Sequence, residues 1–519
     1  MSIADACSTS ASDDLVRQIT SLVPPGTPIT PAIAEQLGVA TQALIALAMA
    51  EGKLDQSPMT LAMERTVDLH REAAEKQLTG RRVLITGGAG CVGSHLIALL
   101  KSLGVDDIFI VDIAVPSSEA TDGRPATCQA DIRDAAALDA AFARFRPHIV
   151  FHLASIREPG RAEAVVREAI ETNVFGTRNV ISACVKHGVH TAIYSSTGKC
   201  FAYVSDHVYT GSKKLAEAQW AAAARRGNST RFRCTRFTHV MENGVVTQDI
   251  CDGIARGLVG LHGPDRFFNI QNLRQATHLL VNALALADQT PADGYWSAVD
   301  LGWPVQTLEL ALYNIHHSGA PVAIYFLGVP RGYDEVFFRG QFCWDGKTEY
   351  HPLVNALEAS SGFGDSSGTM VGARIQAFED AALTLALDKL AVAMKDPSLD
   401  FAAMKQALHR AVADLARSIF AVADLGQLIN VLWWGAAPAW AGPQGHEAAR
   451  FATVICLLVN AIVTRRAALP GPLTPEDRHK LQEVAQTLSQ IDALEAQFRE
   501  LGALLACTRP SAAAGHARV

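Results

Sequence analysis

Several features are scarce or missing in this 519-residue sequence, and each absence excludes a class of protein. The ten cysteines are irregularly spaced with no Cys-x-x-Cys pair, which argues against a metal site or a disulfide framework and favours the reduced cytoplasm. Lys and Arg number 45 against 52 Asp and Glu, and no basic run occurs, so we expect no nucleic acid as a partner. The longest apolar run, 451–463, is too short to cross a bilayer, so we expect no membrane partner either.

The most informative motif that is present is a glycine-rich stretch after a short apolar run at 83–85. Three of its glycines, Gly87, Gly90 and Gly93, would let the backbone turn tightly and approach a pyrophosphate at the N-terminus of a helix. Asp112 follows a second apolar run and could accept hydrogen bonds from an adenosine ribose with a free 2′-hydroxyl. The stretch therefore predicts NAD as cofactor, with NADP less favoured, while the alternative is a glycine-rich turn that binds nothing. The cofactor-binding residues expected here are Gly87, Gly90, Cys91, Val92, Gly93 and Asp112.

The order of apolar segments predicts three regions along the chain. Residues 1–79 look helical, with one long helix expected from 59 to 77. In residues 80–361, short apolar strands alternate with helical patterns, which is typical of a Rossmann-type α/β fold with a doubly wound parallel sheet. Residues 362–519 are rich in alanine and look helical. The strands expected in the middle region include 83–85, 108–111, 149–152 and 192–195.

The C-terminal region contains a long apolar stripe. Between Leu481 and Leu505, apolar residues recur at spacings of three and four, after a capping sequence that begins at Thr474. This spacing predicts a helix that pairs with another helix. Two partners stay open, a neighbouring helix of an internal bundle or a second copy of the chain in a dimer.

A candidate catalytic group follows the fourth predicted strand. Tyr209 and Lys213 are one helical turn apart and would face the same way. The Lys213 ammonium would lower the pKa of the Tyr209 phenol, which could then take a proton from a substrate alcohol as hydride leaves its carbon. Thr197 would hold the same substrate oxygen by a hydrogen bond. The alternative is a tyrosine with only a structural role.

Longer segments carry a family resemblance. Asp-Ile-Arg-Asp begins at Asp131, Arg-Pro-His-Ile-Val-Phe-His-Leu-Ala covers 146–154, and Glu-Ala-Ile-Glu-Thr-Asn-Val-Phe-Gly-Thr begins at Glu168. With Ser-Thr-Gly-Lys at 196–199, these segments resemble the extended short-chain dehydrogenase/reductases, in particular the nucleotide-sugar 4,6-dehydratases and epimerases of polysaccharide biosynthesis. The resemblance implies a small substrate lobe beside the sheet and a structural role for Asn173. It also implies further cofactor-binding residues, namely Asp131, Ile132, Leu153, Ala154, Tyr209 and Lys213.

The chain departs from this family mainly on the substrate side. The family has an Asp at this position that serves as the acid in water elimination, whereas this chain has Gly198. Glycine cannot transfer a proton, so the expectation of dehydration is weakened. Lys199, the next residue, could be the base that removes a proton from the carbon beside a new ketone, or it could be a surface or ribose-contacting lysine. Four residues in altered segments are expected to bind substrate, through guanidinium–phosphate contacts or an imidazole: Arg157, Arg236, His239 and Arg331.

These features together predict an NAD-dependent enzyme that oxidises a secondary alcohol of a nucleotide-sugar, or of a related small metabolite, to a ketone. Three second steps stay open: dehydration, epimerisation, or release of reduced NAD, which would make the protein a simple dehydrogenase. A different class is a non-catalytic protein that senses NAD and binds a partner through its helical ends. We also expect a cytoplasmic homodimer or higher oligomer.

Overall fold

The structure is a computed structural model that describes residues 11–24, 26–120, 124–227, 229–243, 245–302, 304–468 and 472–507. Residues 1–10 and 508–519 of the two predicted terminal regions therefore lie outside the described residues. Within the described part, nine strands form one sheet and six form three short pairs. The strands are β1 (Val83–Thr86), β2 (Ile108–Asp112), β3 (Ala126–Gln129), β4 (Ile149–His152), β5 (Thr191–Thr197), β6 (Arg231–Phe237), β7 (His239–Val240), β8 (Leu258–Leu261), β9 (Phe267–Phe268), β10 (Ile270–Gln271), β11 (Gly294–Ala298), β12 (Val305–Gln306), β13 (Ala323–Phe326), β14 (Phe363–Gly364) and β15 (Met370–Arg374).

Helices surround the sheet and form most of both ends of the described chain. They are α1 (Ala11–Leu22), α2 (Pro31–Ala50), α3 (Thr60–Glu64), α4 (Arg71–Leu78), α5 (Cys91–Ser102), α6 (Ala135–Phe145), α7 (Pro159–Ala164), α8 (Val166–Ile170), α9 (Thr177–Lys186), α10 (Val208–Arg225), α11 (Val245–Arg256), α12 (Leu273–Ala285), α13 (Thr307–Ser318), α14 (Asp380–Lys395), α15 (Phe401–Val422), α16 (Leu425–Ala436), α17 (His446–Ala449), α18 (Ala452–Ala468), α19 (Pro475–Leu488) and α20 (Glu495–Cys507).

The nine-stranded sheet has the order β14-β15-β11-β6-β5-β4-β1-β2-β3. Strands β1 to β6 and β11 pair in parallel, and β15 and β14 are antiparallel at one edge. In chain order, β1, β2 and β3 extend the sheet to one side, and β4, β5 and β6 extend it to the other. The carboxyl ends of β1 and β4 therefore frame the crevice where ligands bind in open α/β sheets. The predicted doubly wound sheet is confirmed.

Both faces of the sheet are covered, which explains why β1 and β4 are mostly apolar, with one polar residue at the end of each, Thr86 and His152. All four residues of β1 are buried, as are all four of β4. Apolar residues of α4, α5 and α12 pack on one face, and those of α6, α9 and α10 pack on the other. The sheet is thus the rigid centre that positions the ends of its strands.

The short strand pairs belong to a small lobe on the carboxyl side of the sheet. β7 pairs with β10, β9 with β12, and β8 with β13. The two N-terminal helices α1 and α2 pack on this lobe, where Leu37 and Leu44 share a core with Ile324 and Phe326. Thr41 also accepts a hydrogen bond from the Ile324 amide at 2.9 Å. The N-terminal helices therefore complete the core of the lobe.

The prediction of one long helix from 59 to 77 is wrong. The structure has the short α3 and then α4, separated by an extended segment at 65–70. The backbone carbonyls of that segment bond to distant side chains instead of to the next helical turn: Asn272 donates to the Arg65 carbonyl at 2.8 Å, and Asn282 donates to the Asp68 carbonyl at 2.7 Å. Tertiary hydrogen bonds have replaced helical ones at this position.

The C-terminal region differs from the prediction in two ways. The sheet continues past the expected boundary at 361, because β14 and β15 form its antiparallel edge, and the helices begin only with α14. The stripe from Leu481 to Leu505 is split between α19 and α20. Leu481, Leu488 and Leu501 are fully buried within the helical bundle of the same chain, which favours the first of the two partners left open above.

One described helix, α2, is long and apolar enough to cross a membrane, and the bent pair Pro443–Ala449 and Ala452–Ala468 would count as a second. This is weak evidence for a membrane span, since core helices pass the same test of length and composition. In the structure α2 packs on β13 through the lobe core described above.

Candidate active site

The glycine-rich turn lies at the crevice between β1 and β4. Gly87 has a φ of +74°, and a Cβ there would lie 2.7 Å from the Ala154 amide nitrogen. A Cβ on Gly93 would lie 2.6 Å from the Gly88 carbonyl oxygen. Neither position has room for a side chain, so the turn brings the backbone close to the start of α5, with Cys91 and Val92 in its first turn.

The other predicted cofactor residues surround this turn. The Asp112 carboxylate, at the end of β2, accepts hydrogen bonds from the amides of Ala89 at 3.0 Å and Ala114 at 2.9 Å. Leu153 and Ala154 follow β4, where the Leu153 amide donates to the Thr86 carbonyl. The structure therefore brings the ends of β1, β2 and β4 together, as a dinucleotide site requires.

Asp131 and Ile132 lie farther along the same edge. The Asp131 carboxylate accepts three hydrogen bonds from Arg133, from the amide and Nε at 2.8 Å and from Nη2 at 2.6 Å. Burial of Asp131 opposes a lower pKa, but these bonds lower it overall. Ile132 is buried under Gly176, where a Cβ would lie 2.7 Å from the Ile132 side chain. Asn173 holds the loop after β4 through both Ile156 backbone groups and also donates to Ser212 at 3.0 Å. It therefore has the structural role that the resemblance implies.

The predicted catalytic residues meet at the carboxyl end of β5. Thr197 ends this strand and is hydrogen-bonded through its side chain to Tyr209, in the first turn of α10. One turn later, the Lys213 ammonium donates to the Ser195 carbonyl at 2.8 Å and lies 4.4 Å from the centre of the Tyr194 ring. The three side chains are thus grouped at one strand end.

The electrostatics of this group differ from the prediction. Burial raises the pKa of Tyr209 to about 12, opposite to the lowering expected from Lys213, and the hydrogen bond with Thr197 offsets only part of the rise. Burial also lowers the pKa of Lys213 to about 8. The predicted lowering is wrong for this structure, because desolvation exceeds the effect of an ammonium that is directed at Ser195.

Gly198 lies against an apolar side chain from a distant segment. A Cβ at this position would lie 2.2 Å from Leu353 Cδ2. Leu353 is itself buried in the core that includes Phe237 and Val240. Leu353 therefore occupies the space beside Gly198 where a side chain would lie.

Lys199 is held by a carboxylate that the sequence did not indicate. Its ammonium donates to Glu335 at 2.8 Å, and the Thr210 hydroxyl donates to the same oxygen at 2.8 Å. The other Glu335 oxygen accepts a hydrogen bond from Ser205. Only 4% of the Glu335 side chain is exposed, against 30% for Lys199. Lys199 is therefore fixed beside the site rather than free on the surface.

Two of the four predicted substrate-binding residues face the site. Arg157 is exposed and close enough to affect the pKa values of Tyr209, His239 and Cys91. Burial, with a further contribution from Arg157, lowers the pKa of His239, so its imidazole is neutral near pH 7. His239 therefore lacks the charge that a phosphate contact would use, but it can still donate one hydrogen bond.

Arg331 lies at the edge of this site and already has acidic neighbours. It donates to Asp206 at 3.2 Å and lies 3.7 Å from Glu163, with 55% of its side chain exposed. A phosphate would have to compete with both carboxylates. Its predicted role as a substrate-binding residue stays a prediction.

Arg236 does not face the substrate, and this prediction is wrong. Its guanidinium is 1% exposed and donates to Glu217 at 2.7 and 3.1 Å and to Glu358 at 2.7 and 2.8 Å. It also donates to the Leu353 carbonyl at 2.8 Å and stacks on the Tyr295 ring. Every donor direction is used inside the core, so Arg236 holds the segment at 353–358 against the sheet.

Comparisons with known proteins agree with this geometry. Residues 83–332 match a family model described as polysaccharide biosynthesis protein. This match supports an extended short-chain dehydrogenase/reductase of the polysaccharide-biosynthesis branch. The chain is 26% identical over 323 residues to the probable polysaccharide biosynthesis protein EpsC of Bacillus subtilis (strain 168), in an alignment that covers 59% of this chain and 52% of EpsC.

Two further relatives match shorter parts of the chain. The capsular polysaccharide biosynthesis protein CapD of Staphylococcus aureus is 25% identical over 304 residues, 55% of this chain and 48% of CapD. A UDP-glucose 4-epimerase of Rhizobium leguminosarum bv. trifolii is 32% identical over 120 residues, 23% of this chain and 36% of that protein. The chain spans about half the length of EpsC and CapD.

The dehydrogenase/reductase region contains two site residues that sequence reasoning missed. Glu335 lies 136 residues after Lys199, and Leu353 lies in a segment with no motif. Neither has a pattern that could have indicated its place, because each reaches the site through the folding of the lobe. The only sequence signal near Glu335 is that it directly follows the altered motif at 330–334.

Proposed function

We propose that this chain is an NAD-dependent enzyme that oxidises a secondary alcohol of a nucleotide-sugar to a ketone, which then permits a second step at the sugar. The observation that carries the proposal is the grouping of Thr197, Tyr209 and Lys213 beside the glycine-rich turn. The names of the relatives, a UDP-glucose 4-epimerase among them, support a sugar nucleotide as the substrate class.

The residues around the turn fit a dinucleotide. The positions of Gly87 and Gly93 exclude side chains, so a pyrophosphate can approach the backbone, and the Asp112 carboxylate favours a ribose hydroxyl over a 2′-phosphate. Bound NAD supplies the acceptor for the hydride. The chain itself supplies the proton acceptor: the phenolate form of Tyr209 takes the hydroxyl proton, and Thr197 holds the reacting oxygen in place.

The second step is epimerisation or simple release of the oxidised product rather than dehydration. Elimination of water needs an acid at the leaving hydroxyl, and the family's position for that acid is Gly198, which is covered by Leu353. Loss of a general acid costs about a hundredfold to ten-thousandfold in rate. Dehydration should therefore be slow, unless His239 protonates the leaving group.

The experiment uses the purified full chain, with UDP-N-acetylglucosamine, UDP-glucose and their dTDP counterparts as probes. Reduced nicotinamide is followed by absorbance, and mass spectrometry follows loss of water. We expect hydride transfer with at least one probe and no rapid water loss, in the wild type and in His239→Ala. Tyr209→Phe should still bind NAD but transfer no hydride, because the ring packs as before while the titratable oxygen is gone.

Three outcomes would count against the proposal. Near wild-type turnover in Tyr209→Phe would contradict the catalytic assignment. Rapid conversion to a 4-keto-6-deoxy sugar in both the wild type and His239→Ala would contradict the effect assigned to Gly198. NAD binding without hydride transfer from any sugar nucleotide to NAD would favour the non-catalytic, NAD-sensing class instead.

A further inference from the structure

Glu163 is a buried carboxylate to which the proposed oxidation gives no role. It lies in α7, after the loop that follows β4, and only 7% of it is exposed. One of its oxygens accepts a hydrogen bond from the Val208 amide at 2.8 Å, and the other accepts one from the Lys405 ammonium at 2.6 Å. Val208 begins α10, and Lys405 belongs to α15 of the C-terminal bundle. Glu163 therefore joins the helix of the catalytic residues to the bundle.

The hydrogen bond with Val208 is an N-terminal cap for α10. The first amides of a helix have no partner within the helix, and the helix dipole favours a carboxylate beside them. His207 precedes the helix but does not cap it, because its imidazole is hydrogen-bonded to Asp206 and Asp334. Tyr209 directly follows Val208, so the cap fixes the turn from which the catalytic phenol extends.

Lys405 supplies the positive charge that the buried carboxylate needs. A charge that is removed from water is costly unless an opposite charge lies close to it. Lys405 is 16% exposed, whereas Arg331 is 55% exposed and lies farther away, at 3.7 Å from the same oxygen of Glu163. A second residue of α15, His409, donates to the Ser205 carbonyl at 3.2 Å, in the segment that leads into α10. The bundle thus contacts the start of the catalytic helix at two polar points.

We propose that Glu163 is a positioning residue for the oxidation, because it holds the start of α10, and that the C-terminal bundle keeps Glu163 in place through Lys405. The inference rests on the proposed function, in which Tyr209 takes the alcohol proton. Glu163 touches neither substrate nor cofactor in this scheme, and it transfers no proton. Without the cap, the first turn of α10 loosens and the phenol shifts relative to Thr197. A misplacement of about 1 Å can cost about a hundredfold in rate.

The first arm of the test measures the cap without any sugar substrate. Hydrogen–deuterium exchange of the full chain with NAD added is read by mass spectrometry in the peptide that contains Val208 and Tyr209. Glu163→Ala removes the acceptor of the Val208 amide, so exchange in this peptide should become about fivefold faster, the usual effect of a lost cap. Unchanged exchange in Glu163→Ala would overturn the cap.

The role of Lys405 is tested in the same arm by a single and a double variant. Lys405→Met lets the Glu163 carboxylate turn toward water, so exchange at the start of α10 should rise. Combining Lys405→Met with Glu163→Gln makes the pair neutral, and the amide oxygen can again accept from Val208, so exchange should return close to the wild-type rate. Lys389→Met is the matched control, since Lys389 of the same bundle pairs with Asp414 at 3.1 Å and is 60% exposed. A double variant that exchanges as fast as Lys405→Met would overturn the role of Lys405.

The second arm measures single-turnover hydride transfer from the same sugar nucleotides to NAD. The temperature is chosen so that thermal unfolding shows every variant to be folded. We expect Glu163→Ala and Lys405→Met to lower the rate about tenfold or more. The double variant and Lys389→Met should stay close to the wild-type rate, because both keep an acceptor for the Val208 amide.

The second arm separates a positioning role from a purely structural one. If Glu163→Ala lowers only the unfolding temperature and each folded molecule transfers hydride at the wild-type rate, the positioning role is overturned and the proposed function stands. If the wild type oxidises none of the sugar nucleotides, the proposed function is overturned, and the positioning role that rests on it falls as well. The exchange measurements would then still decide whether Glu163 caps α10.

Discussion

At the scale of single residues, Tyr209 and Lys213 set an expected pH dependence for the oxidation. With a pKa of about 12, the phenol is protonated at neutral pH, and the phenolate fraction rises tenfold for each pH unit below that value. Lys213 keeps its charge up to its pKa of about 8 and loses it above. The rate of hydride transfer should therefore rise steeply up to about pH 8 and less steeply beyond it. Stopped-flow measurement of reduced nicotinamide against pH checks this, and a rate that falls from pH 6 to pH 8 would contradict it.

Arg236 and Arg331 make a matched pair for a test of stability, since both were expected to bind substrate. Arg236→Met leaves Glu217 and Glu358 buried without their cation and should cost about 3–5 kcal/mol in the free energy of unfolding. Arg331 is 55% exposed, and the buried Glu163, 3.7 Å away, keeps its closer partner Lys405, so Arg331→Met should cost less than about 1 kcal/mol. Urea denaturation compares the two variants. Equal costs would mean that the buried network does not contribute as the structure indicates.

Individual residues also show where reading the sequence succeeds and where it stops. Gly87 and Gly93 could be placed because a tight turn constrains consecutive residues, and that constraint is visible in the sequence. Arg236 was misplaced because its two acidic partners are 19 and 122 residues away, and no local pattern shows that they neutralise it. Glu335 was missed for the same reason. Local backbone requirements could be predicted from the sequence, whereas charge pairing between distant residues could not.

At the scale of elements, the turn that begins at Gly198 and the segment at 353–358 are coupled by one close contact. Gly198→Asp would place its Cβ within 2.2 Å of Leu353 Cδ2 and should destabilise the protein by about 1–3 kcal/mol through overpacking. Leu353→Ala alone should cost about 2–5 kcal/mol. The double variant should cost less than the sum, because each change relieves the defect of the other. A double-mutant cycle in thermal unfolding measures the coupling, and simple additivity would argue against the contact.

The elements that were mispredicted share one physical cause. Residues 59–77 have helical composition, but Asn272 and Asn282 capture the backbone at 65–70 and break the helix. The stripe from Leu481 to Leu505 keeps its apolar positions across the break between α19 and α20. The sequence therefore predicted that these residues pack against another helix, but it did not predict that the helix breaks. The strands of the sheet were easier to place, because β1 and β4 each contain three consecutive apolar residues and lie near an informative motif.

At the scale of the whole molecule, the C-terminal bundle packs directly on the helix that contains Tyr209 and Lys213. A Cβ on Gly211 of α10 would lie 3.3 Å from Val412 and 3.4 Å from Leu408 of α15, so the two helices approach closely. Lys405 of the same helix donates to the buried Glu163 at 2.6 Å. The bundle therefore supports the position of the catalytic helix rather than forming a separate appendage.

This arrangement predicts that damage to the bundle reaches the active site. Leu408→Ala creates a cavity at the contact with α10 and should cost about 2–5 kcal/mol in stability, with a fall in the rate of hydride transfer. Leu385→Ala on α14 is the matched control, because 56% of that side chain is exposed, and it should change stability by less than about 0.5 kcal/mol. Calorimetry should show one cooperative transition that moves down in temperature for Leu408→Ala. If instead a separate C-terminal transition shifts while the main transition and the hydride-transfer rate stay unchanged, the bundle is an independent domain and does not support the catalytic helix.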